Sequence, residues 1–157
     1  MDLTTRTFPT TRAGGPDDDR PPALHTRLEF EIAGGEQAPR IARQVVHGLR
    51  TELDARRLNE VRLLVTELVT NCVRHADIDR KKTVTVSLEL DASTLYVAVS
   101  NPGAGFEPPE PPPAEQESEG GRGLLLVDRL ADRWGVDDVH EARVWFEISR
   151  SSNGGPP

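Results

Sequence analysis

A single cysteine, Cys72, stands in the whole chain, so no internal disulfide can form and no cysteine set exists to hold a structural metal. Long apolar runs are missing as well. No stretch approaches the roughly 20 residues a helix needs to cross a bilayer, and no apolar segment near Met1 has the form of a secretory leader. Positive charge is in deficit: 19 Lys and Arg face 26 Asp and Glu, for a formal net charge of -7. Binding a phosphate backbone needs a basic patch. The one dense basic cluster, Arg80-Lys81-Lys82, falls in a loop between a helix and a strand and reads as solvated. These absences argue against disulfide-stapled, membrane-spanning and nucleic-acid-binding classes, and lead to the expectation of a cytoplasmic protein.

What remains is ordinary globular sequence in the middle of the chain and polar sequence at both ends. The length, 157 residues, suits one domain with a proper hydrophobic core. Residues 1–22 carry Thr, Arg, Gly, Asp and Pro without apolar periodicity, and residues 151–157 are similar; both read as loose tails flanking a domain over 23–150.

Within that domain, Leu28, Phe30 and Ile32 alternate with charged residues as a half-buried strand. Pro39 near a helix start, then Ile41, Ala42, Val45, Val46 and Leu49, mark a first amphipathic helix. A second helix runs from about Asp54 to Ala76, with Val61, Leu64, Val65, Leu68 and Cys72 as its buried stripe. Cys72 on that stripe reads as a small core residue. Thr83–Leu90 and Thr94–Ser100 form a hairpin about the turn Asp91–Ser93; Leu124–Ala131 is a short helix; Trp134–Val136 and Arg143–Ser149 complete the sheet. The expected architecture is a two-layer α/β sandwich, a mixed, mainly antiparallel sheet with helices on one face.

Three motifs concentrate the chemistry. Glu67, Asn71 and His75 recur at i, i+4 on the second helix, along the border of its apolar stripe. Such a row suits groups held rigidly while facing a cleft. Asn101-Pro-Gly103-Ala-Gly105 follows a strand directly, and its two glycines permit positive φ and close backbone approach to a ligand. Gly120-Gly-Arg-Gly123-Leu-Leu-Leu-Val127 runs straight into a helix, whose free N–H groups and dipole favour an anion such as phosphate. Between the last two lies a long loop, rich in Pro and Glu, of a length usual for a lid or an unstructured segment.

In this order the three motifs resemble the landmarks of the histidine-kinase-like (GHKL, or Bergerat) ATPase superfamily: an N box, two glycine boxes and an intervening ATP lid, here about residues 106–120. Glu67-Leu-Val-Thr-Asn-x-x-x-His-Ala76 and Gly121-Arg-Gly-Leu-Leu-Leu-Val127 resemble its anti-sigma factor serine-kinase branch, and Ala131-Asp-Arg-Trp-Gly135 with Val144-Trp-Phe-Glu147 resemble actinobacterial members of it. The resemblance implies a Bergerat fold binding ATP and Mg²⁺. It gives Asn71 the metal and Glu67 the role of general base toward a serine or threonine hydroxyl. Asn101, Gly103 and Gly105 would border the adenine pocket, and Gly121, Arg122, Gly123 and Leu124 the phosphates. His75 would orient or pack the N-box helix. The implied partners are an alternative sigma factor and a STAS-type anti-anti-sigma antagonist, with the chain as a homodimer; the apolar face of the first helix is one surface such a dimer could share.

The chain departs from the family pattern at three places. Asn101 stands where the family usually has Asp, so it meets the adenine amino group without a charge, and its amide adds a donor that could face a carbonyl-bearing base. Weak ATP binding, altered base preference and loss of nucleotide binding all follow as alternatives. The glutamates of the lid would repel a triphosphate if they faced inward, which leaves a working lid and a solvent-facing loop both open. His140-Glu-Ala142 occupies the turn before the last strand, where related kinases often carry Gly with a small or basic residue. A regulatory module that binds sigma factor or antagonist without phosphotransfer is therefore the alternative to the kinase.

Overall fold

Period-two alternation of apolar side chains builds five strands. In the computed structural model, which describes residues 26–75, 82–101, 122–137 and 142–152, these are β1 (Thr26–Ala33), β2 (Thr83–Leu90), β3 (Thr94–Asn101), β4 (Arg133–Asp137) and β5 (Ala142–Ser149). They form one open sheet in the order β1-β2-β3-β5-β4, and all four pairings are antiparallel, with no parallel pair among the described residues. The β2–β3 turn forms because the Asp91 carboxylate accepts from the N–H groups of Ser93 (2.8 Å) and Thr94 (2.6 Å), a side chain standing in for a backbone turn partner.

One face of this sheet is apolar. Val86, Leu88, Val97, Val99, Phe146 and Ile148 are buried there beneath three helices, α1 (Ala38–His47), α2 (Ala55–His75) and α3 (Arg122–Leu130). Each such side chain, fully removed from water, contributes about 1.5–3 kcal/mol. The stripe read on α2 is buried as expected for Val61, Leu64, Val65 and Leu68, while Cys72 is half-buried. Val69 joins them at 0% exposure because α1 packs against a second side of α2. On the apolar face of α1, Ala38, Ala42 and Val46 are buried within the chain, while Ile41 and Val45 are half-buried. Among the described residues, no helix is long and apolar enough to cross a membrane.

The start of α2 is fixed by side chains. Asp54 caps it, accepting from Arg57 N–H at 2.8 Å while its carbonyl accepts from Leu58 N–H. Its second carboxylate oxygen accepts from the Ser152 N–H and hydroxyl beyond β5. Arg150 donates to the carbonyl of Glu52 (3.0 Å), to its carboxylate (2.6 Å) and to the carbonyl of Asp91 (2.8 Å). α2 therefore begins at the sheet end that holds the β2–β3 turn and the last residues of β5. A 21-residue helix spans about 31 Å and an eight-residue strand about 27 Å. Packing along β3 and β5, α2 carries its C-terminal half to the opposite end, where β3 finishes at Asn101 and β5 begins at Ala142.

The other face of the sheet carries no helix among the described residues. Cross-strand rows order it: Arg27, Glu89, Tyr96, Glu147 and Arg133 stand in register, as do Glu29, Ser87, Ala98, Trp145 and Gly135. Tyr96 and Trp145 stack with ring centroids 5.8 Å apart. The Trp145 indole lies over Gly135, where an added Cβ would meet its ring at 2.8 Å.

Candidate functional site

Among the described residues, four polar side chains are buried, and the sheet divides them evenly. Ser87 and Ser100 belong to the open face. Asn71 and Asn101 lie on the helix-facing side, Asn101 by continuing the row Leu95, Val97, Val99 along β3. They are the two amides of an otherwise hydrocarbon layer. Asn71 is 8% exposed and Asn101 is 7% exposed. No side-chain hydrogen bond to either amide is found among the described residues. Neither is fully sealed: among the described residues, the sealed side-chain nitrogens without a partner are Arg57 Nε and Arg62 Nε. An amide buried without a partner costs about 1–3 kcal/mol. Two of them at one end of one face, each keeping a narrow access to solvent, are what the floor of a binding cleft looks like.

Glu67 and Asn71 are brought there by helical repeat. One turn apart on α2, they lie on the flank between its buried stripe and its exposed side, where Leu63 is 42% exposed. Glu67 is half-buried and Asn71 buried. α3 meets this flank at its first turn. A Cβ built on Gly123 would lie 2.6 Å from Asn71 Nδ2 and 3.6 Å from Glu67 Cβ, so only glycine lets the helix start approach this closely. α3 is held in place by Val127, fully buried, and by the bond from Trp134 Nε1 to Asp128 Oδ1 at 2.9 Å. Its first N–H groups have no intrahelical acceptor, and the helix dipole places about half a positive charge beside them.

The sequence row and the third motif thus converge on one spot. Asn101 stands at the same end and on the same face. Leu124, half-buried, packs against the core beside Gly123. His75 closes α2 and Arg122 opens α3, but their side chains lie outside the described residues, as do Gly103, Gly105, Gly121 and the lid at 106–120. The burial of Cys72, next to Asn71, pushes its thiol up to about 11, which marks the surroundings as apolar. The tether of Asp54, Arg150 and Ser152, which sets where α2 begins, was not read from the sequence; Asp54 three residues before Arg57 was its one visible signal, as a cap.

An open groove of about 390 Å³ lies elsewhere, on the open face between Arg27, Glu89, Tyr96 and Arg143. It contains neither Glu67 nor Asn71. The chemistry argues for the amide-lined end: charged rim residues on a sheet face are commonplace, while lone amides in a core are not.

The donor set fits a metal-bound nucleotide. Asn71 offers a neutral amide oxygen, suited to Mg²⁺, which takes few protein ligands and completes its shell from phosphates and water. Among the described residues no group of three or more His, Cys, Asp or Glu could hold a metal without such help. The start of α3 offers N–H groups to phosphate oxygens, and Glu67 offers a carboxylate beside them.

Comparison with known proteins agrees. An uncharacterized protein of Streptomyces coelicolor is 34% identical over 79 residues, which cover 50% of this chain and 74% of that protein. The profile of the histidine kinase-like ATPase domain matches residues 33–147, a span holding Glu67, Asn71, Asn101 and Gly123 together with the strands and helices that position them. With its antiparallel sheet, its helices on one face and its N-box row set against a glycine-led helix, the chain belongs to the histidine kinase-like ATPase family.

Proposed function

We propose that this protein is an anti-sigma factor of the switch-kinase type. It sequesters an alternative sigma factor and phosphorylates a serine or threonine of a STAS-type antagonist, using ATP and Mg²⁺. The single observation that carries the reading is the close approach of Gly123, at the start of α3, to the Asn71 amide and to Glu67 Cβ on α2. Bound Mg²⁺-ATP supplies the phosphoryl group to be transferred. Asn71 holds the metal through its amide oxygen, and the first N–H groups of α3 hold phosphate oxygens. Glu67 accepts the proton of the incoming hydroxyl, a role typically contributing about 10²–10⁴-fold in rate. Arg122, Gly103, Gly105, Gly121 and Leu124 complete the nucleotide contacts in this reading, His75 orients the N-box helix beside them, and Asn101 reads the base. The protein acts as a cytoplasmic homodimer.

A second reading keeps partner binding and drops phosphotransfer. Asn101 favours it, because a neutral amide grips an amino-bearing base with bonds roughly half as strong as those of a carboxylate. Incubation with labelled ATP, Mg²⁺ and a candidate antagonist separates the two. Transfer that disappears in Glu67→Ala and Asn71→Ala supports the kinase. Captured sigma factor or antagonist with no transfer by the unaltered protein supports the module.

A further inference from the structure

Of the two buried amides, Asn71 is committed to the α3 start by its contact with Gly123. Asn101 is 7% exposed, ends β3 on the helix-facing side, and has no side-chain hydrogen bond among the described residues. Phosphate and metal chemistry is assembled around Glu67, Asn71 and Gly123, so the polar group left at this end faces the remaining part of a nucleotide, its base. We propose that Asn101 reads the base with an amide that can present either of its edges, so that the site accepts 6-amino and 6-oxo purine nucleotides alike. This rests on the nucleotide reading above.

Asparagine carries an accepting Oδ1 beside a donating Nδ2. A 6-amino purine presents the N6–H donor beside the N1 acceptor; a 6-oxo purine presents the O6 acceptor beside the N1–H donor. Half a turn about the last side-chain bond exchanges Oδ1 and Nδ2 and converts one match into the other. No hydrogen bond among the described residues fixes the amide of Asn101 in one orientation. A carboxylate at this position only accepts, so it would oppose O6 with a second lone pair.

The test is calorimetry on the full chain with Mg²⁺ and either ATP or inosine triphosphate, which differ only at C6 and in the proton on N1. Unaltered protein is expected to bind the two within about tenfold of each other, and Asn101→Asp to shift the ratio toward ATP by at least a further tenfold or so. Asn101→Leu, with circular dichroism to establish folding, should weaken both nucleotides to a similar degree. A preference of more than about tenfold for ATP in the unaltered protein overturns the inference and leaves the nucleotide site standing. An unchanged ratio in Asn101→Asp overturns it as well. Binding of neither nucleotide removes the nucleotide reading, and this inference with it.

Discussion

Replacing Gly123 by alanine would set a methyl carbon 2.6 Å from Asn71 Nδ2 and 3.6 Å from Glu67 Cβ. The second distance is ordinary contact; the first is about 1 Å too short for carbon against nitrogen. Either the amide or the start of α3 must move by that amount. Overpacking of this kind costs about 1–3 kcal/mol, and alanine for glycine in a helix returns about 0.5–1 kcal/mol. The net loss of stability is therefore modest, about 0–2.5 kcal/mol. The effect on function is larger, since a displacement near 1 Å at a positioned group can cost roughly 100-fold. Urea unfolding should show a folded Gly123→Ala protein, and calorimetry should show Mg²⁺-ATP binding greatly weakened. A double-mutant cycle isolates the cause. With Asn71→Ala in place the added methyl has room, so Gly123→Ala should then be neutral or stabilising, giving a coupling of about 1–3 kcal/mol. Equal destabilisation in both backgrounds, or nucleotide binding unchanged by Gly123→Ala alone, would refute the reasoning.

Other outcomes follow from the same contacts. The N–H of Arg57, then the N–H and hydroxyl of Ser152, hold the Asp54 carboxyl down at about 2, below its ordinary 3.8. A depressed carboxyl stabilises the fold above its unfolded value, and that contribution is lost as pH falls from about 4 toward about 2. Urea midpoints should thus fall more steeply between about pH 5 and about pH 2.5 in the unaltered protein than in Asp54→Asn, and parallel curves would count against the tether. Cys72, its thiol pushed up to about 11 by burial, should resist a disulfide reagent at about pH 8 until the protein is unfolded in urea; full labelling of the native protein would contradict its placement. Phe146→Ala, at the largest fully buried side chain, should cost about 3–5 kcal/mol in urea unfolding, and a loss below about 1 kcal/mol would mean that the core is not centred there.

Much of this was legible in the chain because two periodicities are strong. The β2 strand, Thr83–Leu90, spans the residues its alternation marks, and the apolar stripe of α2 is buried at four of its five positions. Boundaries blurred where periodicity outruns hydrogen bonding: Leu49 reads as part of α1 and is buried, but it lies in the turn beyond His47, where Leu49 N–H bonds to Val46 O. Burial of Val69 was not legible, since it depends on α1 approaching a second side of α2. Nor was burial of Ser87 and Ser100, which alternation assigns to the outward face. The row Glu67, Asn71 follows from helical spacing alone. That Gly123 rests on it does not, because the contact joins elements far apart in sequence and depends on how α3 meets α2.

The central claim is that Asn71 and Asn101 line one nucleotide pocket, and their side-chain amides can be observed directly. The chain has four asparagines, Asn59, Asn71, Asn101 and Asn153, so their NH₂ resonances can be assigned by single substitutions in ¹⁵N-labelled protein. On titration with Mg²⁺-ATP, the signals of Asn71 and Asn101 are expected to move together along one saturation curve while Asn59, exposed on α2, stays still. Saturable binding that leaves both buried amides unmoved would contradict the account.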